Sequence, residues 1–379
     1  MLVSLENSPK SDIVLNLPDT DALLDSAWPD CEKRAAVPLQ TPWRDDPDTT
    51  LDVRYTVSRN NPDSRNAPEA ITATIGDAFS VDLHAPVKLL DVTVEKPWGH
   101  ERWLSGMEQR GESKVTAGEY SVPISHYLAL APRRLLGADP LILLKILEAT
   151  EGDLYLELHE TKSEVYVVTG AEDGCGMRFG IDPSRRAKFD TDTAFRTAFI
   201  AAASAYEHNA DANTRAELDS FTRFHILRRG NVVSVPPGVP HSLQQGVQVI
   251  EFQTPVFERK ILAAHQPVAT QDHWDTAAAV ERMVLDALSP FTERSDGFSV
   301  RVEPIHAAQP LEIDVPAYVI GMVVAGQVRI GGITCGPSEA FFVPASAGAQ
   351  SVQAANEAVV AYATPRPPAT RTTPATPAK

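Results

Sequence analysis

The chain has 379 residues, a hydrophobic fraction of 43% and a formal net charge of −16. This length allows two or three domains, and the apolar content suffices for a sizeable core, which argues against a globally disordered protein. The negative charge argues against non-specific binding to nucleic acid or to an anionic membrane, although a few local Lys and Arg side chains can still bind a small anionic substrate.

The cysteines and the chain start indicate the compartment. Cys31, Cys175 and Cys335 are far apart and odd in number, so they predict no disulfide framework and favour a reducing compartment. The first residues lack a basic segment followed by a long apolar run, and no stretch reaches about 18 apolar residues. We therefore expect a soluble cytoplasmic protein without a signal peptide or membrane span. The sequence leaves a homo-oligomer open.

The first elements become clear only after an N-terminal extension of unknown role, residues 1–85, which is rich in Pro, Asp, Asn and Ser. Residues 87–104 predict a strand, a Pro-containing turn and a second strand. Residues 122–137 predict one short helix that ends near Gly137. The apolar run 141–149 then follows, interrupted by Lys145.

The next stretch, residues 152–170, predicts a pair of strands. In the first of them, leucines alternate with Tyr155, Glu157 and His159, the period-two pattern of a strand with one face in a core. Such a strand places these three side chains on one face. A carboxylate and an imidazole two residues apart on the same face are positioned to hold a metal ion. Glu160 should point to the opposite face.

The remaining chain alternates helical and β patterns. A helical insertion is predicted over about 187–219, short strands with tight turns over 230–255, and an amphipathic helix over 270–288. Residues 298–365 predict a second all-β block, with a hairpin turn at Ala325–Gly326.

These patterns divide the chain into segments. The division predicts an extension over 1–85, a metal-binding domain over 86–297, a metal-free barrel over 298–365 and a Pro/Thr/Ala-rich disordered tail over 366–379. The second block has His306 as its only histidine and no metal-ligand motif, so we expect it to be a packing partner for the first.

Two segments carry the chemistry. The first contains Glu157-x-His159, four further residues and Glu164, and the second contains Pro236-x-Gly238, two further residues and His241. With their flanking glycines, these spacings resemble the paired motifs of the cupin superfamily, double-sheet β-barrels that bind one metal ion. The resemblance implies a mainly β fold with two cupin-type, jelly-roll-like barrels plus helices.

The four side chains suit one divalent metal ion. Glu157, His159, Glu164 and His241 supply two imidazoles and two carboxylates, a set compatible with zinc, manganese or iron, with zinc preferred. The Pro/Gly turn at 236–238 delivers His241 onto the following strand. Two carboxylates neutralise the ion, which makes it a milder Lewis acid than a site richer in histidine.

A narrower resemblance covers residues 85–365. The segments EKPWGHERWL (95–104), LYLELHETKSEVY (154–166) and SVPPGVPHSL (234–243) are similar to type I mannose-6-phosphate isomerases, as are stretches 135–149 and 250–261. That family interconverts mannose 6-phosphate and fructose 6-phosphate through an enediol. The resemblance therefore implies a small sugar phosphate as the partner.

This resemblance assigns roles to further residues. It implies that Lys162 faces the substrate, that Glu251 and Arg259 belong to the active site, and that Lys145 contacts the substrate phosphate. Glu251, Lys162 and a metal-bound water are all candidates for the general base. Trp98 is either a core anchor or a platform for the sugar. His100 and Glu101 can line the pocket, but a solvated turn is the preferred interpretation.

The chain departs from the family at the first motif. Glu157 stands where the family usually has Gln, and Tyr155 stands in place of a Ser, where it can alter phosphate binding. Two other interpretations stay open. Two imidazoles with a carboxylate also describe oxygen-activating sites, so a cupin oxygenase or epimerase is one alternative. The other is a sugar-binding cupin that has lost catalysis.

Overall fold

The computed structural model describes residues 21, 24, 32–39, 49–59, 69–137, 139–268, 271, 273–292, 295–315 and 317–366. The tail predicted to be disordered, residues 366–379, lies outside the described residues except for Arg366. Within the described part of the chain, no helix combines the length and apolar character that crossing a bilayer requires.

The N-terminal extension contributes a four-stranded antiparallel sheet. Its strands are β1 (Glu32–Pro38), β2 (Thr50–Arg59), β3 (Glu69–Ile75) and β4 (Phe79–Asp82). Val53, Tyr55 and Val57 alternate with more exposed residues and belong to a core shared with the following helices. The Tyr55 hydroxyl donates a hydrogen bond to the carbonyl of Leu130 at 2.7 Å. The extension is therefore packed on the rest of the fold.

The segment after the extension supplies strands to different sheets. Its elements are β5 (Val87–Leu90), β6 (Val92–Lys96), β7 (Gly99–Trp103), β8 (Met107–Glu108), β9 (Gly111–Glu112), β10 (Lys114–Ala117), β11 (Tyr120–Pro123), α1 (Ile124–Ala129) and α2 (Pro132–Leu136). The single helix predicted over 122–137 is wrong, because it is broken at Ala131. Pro132 disfavours helical geometry in the residue before it, and Ala131 has φ −163° and ψ 75°.

Two sheets and a helical insertion follow. The elements are β12 (Leu143–Glu148), β13 (Leu156–Leu158), β14 (Glu164–Ala171), β15 (Gly176–Ile181), α3 (Pro183–Arg186), α4 (Asp192–His208), α5 (Ala212–Asp219), β16 (Thr222–Ile226), β17 (Val232–Val235), β18 (His241–Leu243), β19 (Val247–Gln253), β20 (Lys260–Ala263) and α6 (Thr276–Arg282). The insertion is helical, as predicted, and α5 begins at a capping box formed by Asp211. The helix expected over 270–288 is limited to α6.

The order of strands within these sheets positions the site. One sheet runs β17-β14-β19-β12-β7-β6, and the other runs β16-β15-β18-β13-β20. A buried cluster that draws on both sheets, including Tyr166, Phe179 and Val249, connects them. Both sequence motifs lie on these two sheets.

The C-terminal block is a second pair of sheets. Its elements are β21 (Phe298–Ile305), β22 (Leu311–Ile313), β23 (Val319–Ala325), β24 (Val328–Ile330), β25 (Ile333–Cys335), β26 (Ala340–Val343), a 3-10 turn (Ala345–Ala347), β27 (Gln350–Ala354) and β28 (Ala358–Pro365). The sheets run β11-β10-β5-β26-β23-β28-β21 and β22-β27-β24-β25. Strands β5, β10 and β11 precede residue 298, so this block also draws on the chain ahead of the predicted boundary.

The hairpin predicted at Ala325–Gly326 is wrong. Strands β23 and β24 flank that turn but lie in different sheets, and β24 instead pairs with β25 around Gly331 and Gly332. Gly326 has φ +76°, a conformation that glycine adopts readily where the chain leaves one sheet for the other. The broader prediction of a mainly β protein with double-sheet units and helices is confirmed.

Candidate active site

The strands bring the two sequence motifs together. Glu157 on β13 is paired directly across the sheet with His241, the first residue of β18. Glu164 opens β14 in the other sheet, and His159 lies in the connection between β13 and β14. Because directly opposite residues in an antiparallel pair lie about 5 Å apart, this register holds Glu157 beside His241.

The turn before His241 requires its glycine. Gly238 has φ +76°, and a Cβ there would lie 2.9 Å from Val284 Cγ2 and 3.0 Å from the Arg282 carbonyl oxygen. Its N–H donates a hydrogen bond to the carbonyl of His159 at 2.7 Å. This turn therefore ties one motif to the other and sets where β18 begins.

The side-chain atoms lie at spacings that one metal ion can bridge. His159 Nε2 is 3.8 Å from Glu157 Oε1 and 3.2 Å from Glu164 Oε1, and His241 Nε2 is 3.4 Å from Glu164 Oε2. Tetrahedral zinc with ligands at about 2.1 Å has ligand atoms about 3.4 Å apart. Donor atoms of Glu157, His159 and His241 also lie within 4.8 Å of one another. These three residues form a group that can hold a metal ion, and Glu164 contacts both histidines of that group.

Unpaired nitrogens at the centre of the cluster support the same fit. His159 is fully buried and His241 is 2% exposed, and among the described residues Nε2 of each faces a Glu164 oxygen without meeting the full geometry of a hydrogen bond. His241 Nδ1 lies 2.9 Å from the Val239 carbonyl, which can only accept, so Nδ1 carries a proton and Nε2 is the nitrogen available to a metal ion. Buried polar atoms without partners are rare in folded proteins, and a metal ion would satisfy both nitrogens.

The electrostatics of the two imidazoles also favour a cation between them. Burial lowers the pKa of His159, and the Lys162 ammonium lowers it further, so this ring is neutral and able to ligate. Burial lowers the pKa of His241 too, but the Glu164 carboxylate outweighs it and leaves the pKa raised. A positive charge next to His241 is therefore stabilised, whether a proton or a metal ion supplies it.

These groups open into one cavity of about 260 Å³. It is lined by the predicted residues Trp98, Lys145, Tyr155, Glu157, Lys162, Glu164, His241, Glu251 and Arg259. His159 lies behind this lining, fully buried against Glu164. Glu160 points away, as expected, and pairs with Lys260 Nζ at 3.2 Å outside this cavity. The structure thus brings the predicted set together around one space.

A row of alternating charges crosses the cavity from the cluster. Lys162 Nζ lies 2.6 Å from Glu164 Oε1. Two strands further along, Lys145 Nζ lies 3.5 Å from Glu251 Oε2 and 2.6 Å from Gln253 Oε1. Lys162 has an anionic neighbour in Glu164, so it can stay charged although the residue is only 8% exposed.

Burial and neighbouring charges tune the acids and bases of this row. Burial lowers the pKa of Lys162, but Glu164 and Glu251 outweigh it, so its pKa is raised and the side chain stays protonated. Burial raises the pKa of Glu251 to about 8, against the opposing effect of Lys145. A carboxyl group of this kind is able to exchange a proton near neutral pH.

The far end of the cavity contains residues that the sequence reasoning missed. The solvated turn expected at Glu101 is wrong: Glu101 is 9% exposed and lines the cavity. Its carboxylate lies 3.2 Å from Lys96 Nζ and 4.0 Å from Lys145 Nζ, and it accepts a 2.6 Å hydrogen bond from Trp103 Nε1. The Arg110 guanidinium lies 5.3 Å from the centre of the Trp103 ring. Glu101 shares its face of β7 with the apolar Trp103, which could have revealed its inward direction.

Two aromatic residues complete the walls. Trp98 is 3% exposed and packs in the core between the sheets while also lining the cavity, so it acts at least as a core anchor. Tyr155 is 4% exposed, and the Arg259 guanidinium lies 5.0 Å from the centre of its ring. This contact is within the range of a cation–π interaction, so Tyr155 helps to position Arg259.

Comparison with solved structures identifies the fold. Mannose 6-phosphate isomerase from Bacillus subtilis matches with a TM-score of 0.58 and 17% sequence identity, over 74% of this chain and 99% of that one. A mutant of phosphomannose isomerase from Salmonella typhimurium matches with a TM-score of 0.59 and 12% identity, over 75% of this chain and 100% of that one. A zinc-bound mannose 6-phosphate isomerase matches with a TM-score of 0.57 and 12% identity, over 73% and 99%.

Sequence comparison adds nothing to this result, since no protein-family profile and no curated protein matches the chain. The structural likeness was expected from the sequence motifs and is confirmed: the chain has the fold of the mannose-6-phosphate isomerases.

Proposed function

We propose that this protein is a metal-dependent aldose–ketose isomerase that interconverts mannose 6-phosphate and fructose 6-phosphate. The observation that carries the proposal is the cluster of Glu157, His159 and His241, with Glu164 in contact with both histidines, beside a cavity that also holds several cations. The shared fold supports it, and the zinc in one similar structure makes zinc the first choice of metal.

The four cluster residues would hold the ion. When bound, a divalent cation would polarise the hydroxyl and carbonyl oxygens of the sugar and stabilise the negative charge that develops on them. The orphaned Nε2 atoms of His159 and His241 and the two carboxylates provide the neutral and anionic ligands that zinc accepts.

The protein's own groups would move the proton. Isomerisation removes a proton from C2 of the open-chain aldose and returns one to C1, while the hydroxyl proton passes from O2 to O1. We assign the C1–C2 transfer to Glu251, which is 3% exposed and faces the cavity between Lys145 and the cluster. Lys162 is held as an ammonium by Glu164, so it donates a hydrogen bond to a developing oxyanion and is unsuited to be the base.

The cations away from the cluster would bind the phosphate. Lys145 lies two strands from Glu164, which at about 4.8 Å per strand is close to the length of a sugar 6-phosphate. Lys96 and Arg110 flank the same Trp103 ring at 6.0 and 5.3 Å, so they extend this positive end of the cavity. Arg259, held against Tyr155, is a fixed cation suited to stabilising charge on the substrate.

This distribution of charge favours the isomerase over the two alternatives. An oxygenase needs the metal ligands but has no use for a set of lysines and arginines around the same cavity. A sugar-binding protein without catalysis would not require a further buried carboxyl group, Glu251, facing the cavity beside the metal ligands. The cavity presents both features together.

The test is an assay of the purified protein with mannose 6-phosphate and added zinc or manganese, in which fructose 6-phosphate is measured by a coupled enzyme. We expect turnover that a chelator removes and metal restores, and its loss in His241→Ala. Saturable binding of the sugar phosphate without turnover would favour a binding protein. Full activity of His241→Ala would contradict the site.

A further inference from the structure

We propose that Tyr166 is a positioning residue that fixes the Glu164 carboxylate for metal binding. This inference rests on the metal site of the proposed function. Tyr166 is 3% exposed, and its hydroxyl lies 2.5 Å from Glu164 Oε2. Because Glu164 also pairs with the Lys162 ammonium, it is a carboxylate that accepts, and the Tyr166 hydroxyl donates.

The contacts of Glu164 divide evenly between its two oxygens. Oε1 faces Lys162 Nζ at 2.6 Å and His159 Nε2 at 3.2 Å, whereas Oε2 faces Tyr166 at 2.5 Å and His241 Nε2 at 3.4 Å. Each oxygen thus faces one of these two hydrogen-bond donors and one histidine nitrogen. The two donors prevent the carboxylate from rotating about its terminal bond.

The backbone makes Tyr166 a rigid support. Residues 164 and 166 are two apart on β14, so their side chains leave the same face of the strand. Strand β14 is paired on both sides, with β17 and β19, and Tyr166 lies opposite Val233 and Glu251 in these ladders. A phenol held in this way fixes the orientation of Glu164 before any ion binds.

Groups that orient a ligand typically change metal affinity by about 10- to 100-fold when they are removed. We therefore expect Tyr166→Phe, which deletes one oxygen atom, to weaken zinc binding by about that factor in a competition titration with a chelating dye. Cobalt(II) bound in place of zinc should show an altered d–d absorption band, because the loosened carboxylate changes the coordination geometry.

A matched control is Tyr206→Phe. Tyr206 is also buried, and its hydroxyl contacts His265 Nδ1 at 2.7 Å, outside the cavity. We expect its zinc affinity and cobalt spectrum to equal those of the parent protein. Unfolding of the metal-free proteins, followed in urea, measures any purely structural effect of either substitution. A substitution that lowers only the stability of the fold would leave the cobalt band unchanged.

Retention of parental zinc affinity and cobalt spectrum by Tyr166→Phe would overturn the inference and leave the metal site standing. A parent protein that binds no zinc would overturn the site and the inference together. Replacement of Tyr166 by 3-fluorotyrosine keeps the hydroxyl donor and should keep the affinity. This second substitution also tests the inference if the phenylalanine variant fails to fold, since loss of affinity with the donor present would contradict it.

Discussion

Lys145→Met tests where the substrate phosphate binds. The side chain is 8% exposed, and its Nζ lies 2.6 Å from Gln253 Oε1 and 3.5 Å from Glu251 Oε2. Methionine keeps most of the length and apolar surface of the stem but removes the charge. If Lys145 binds the phosphate, the substitution removes one charged hydrogen bond to the substrate.

A hydrogen bond to a charged group contributes about 1.5–3 kcal/mol, which corresponds to roughly a 10- to 150-fold change in an equilibrium constant. We expect kcat/KM for mannose 6-phosphate to fall by this factor. Most of the change should appear in KM, because the phosphate does not react and is bound in both the ground and transition states.

Steady-state kinetics in the coupled assay give both constants, and competitive inhibition by inorganic phosphate should weaken in parallel. Lys88→Met is the control, because Lys88 pairs with Glu339 at 3.1 Å outside the cavity. Unchanged KM and unchanged phosphate inhibition in Lys145→Met would refute the assignment of Lys145 to the phosphate.

Three further substitutions test Glu157 as a metal ligand, the hydrogen bonds that Glu258 accepts, and the ion pairs of Glu101. Glu157→Gln keeps an oxygen ligand but removes one negative charge, so zinc affinity should fall at least about tenfold while one ion still binds. Equal affinity by competition titration would show that the charge of Glu157 does not contribute to zinc binding. Glu258 Oε1 accepts hydrogen bonds from the Thr161 N–H at 2.5 Å and the Lys162 N–H at 3.1 Å. If these bonds position Lys162, Glu258→Ala should lower kcat about tenfold, which corresponds to a net loss of about 1.4 kcal/mol, and should leave zinc affinity unchanged. A parental kcat would show that Glu258 does not position Lys162 for catalysis. Burial raises the pKa of Glu101, but its two neighbouring lysines outweigh this and lower it to about 2 from 4.5. The resulting stabilisation, on the order of 3 kcal/mol, is present above about pH 4.5 and is lost as the pH falls towards about 2. Urea unfolding should therefore show Glu101→Gln to be less stable than the parent at neutral pH, with the difference shrinking below about pH 4.5; a difference that does not change with pH would refute the ionic origin.

Much of the cavity could be predicted because its residues occur in patterns with a strict geometric meaning. The period-two alternation around Glu157 predicted the strand that carries it, although this strand ends at Leu158 and His159 lies in the connection that follows. The Pro/Gly turn predicted where His241 enters its strand. Lys145 interrupts an apolar run, which marked it in the sequence, and the structure does place it in the cavity.

The contacts that the sequence could not predict depend on pairing between distant strands. Lys96 approaches Lys145 because β6 and β7 add to the sheet beyond β12, a register that local alternation does not contain. The same limitation explains the false hairpin at Ala325–Gly326, since a glycine turn can connect strands of one sheet or of two. Helix propensity alone likewise missed the break that Pro132 imposes.

Zinc titration of the metal-free protein, followed by calorimetry, tests the central claim most directly. If two imidazoles and two carboxylates converge on one point, the parent protein should bind about one zinc ion per chain, and His241→Ala should bind it at least about 100-fold more weakly, because a ligand is lost outright. Equal binding by the parent and His241→Ala, or no binding by the parent, would contradict the account.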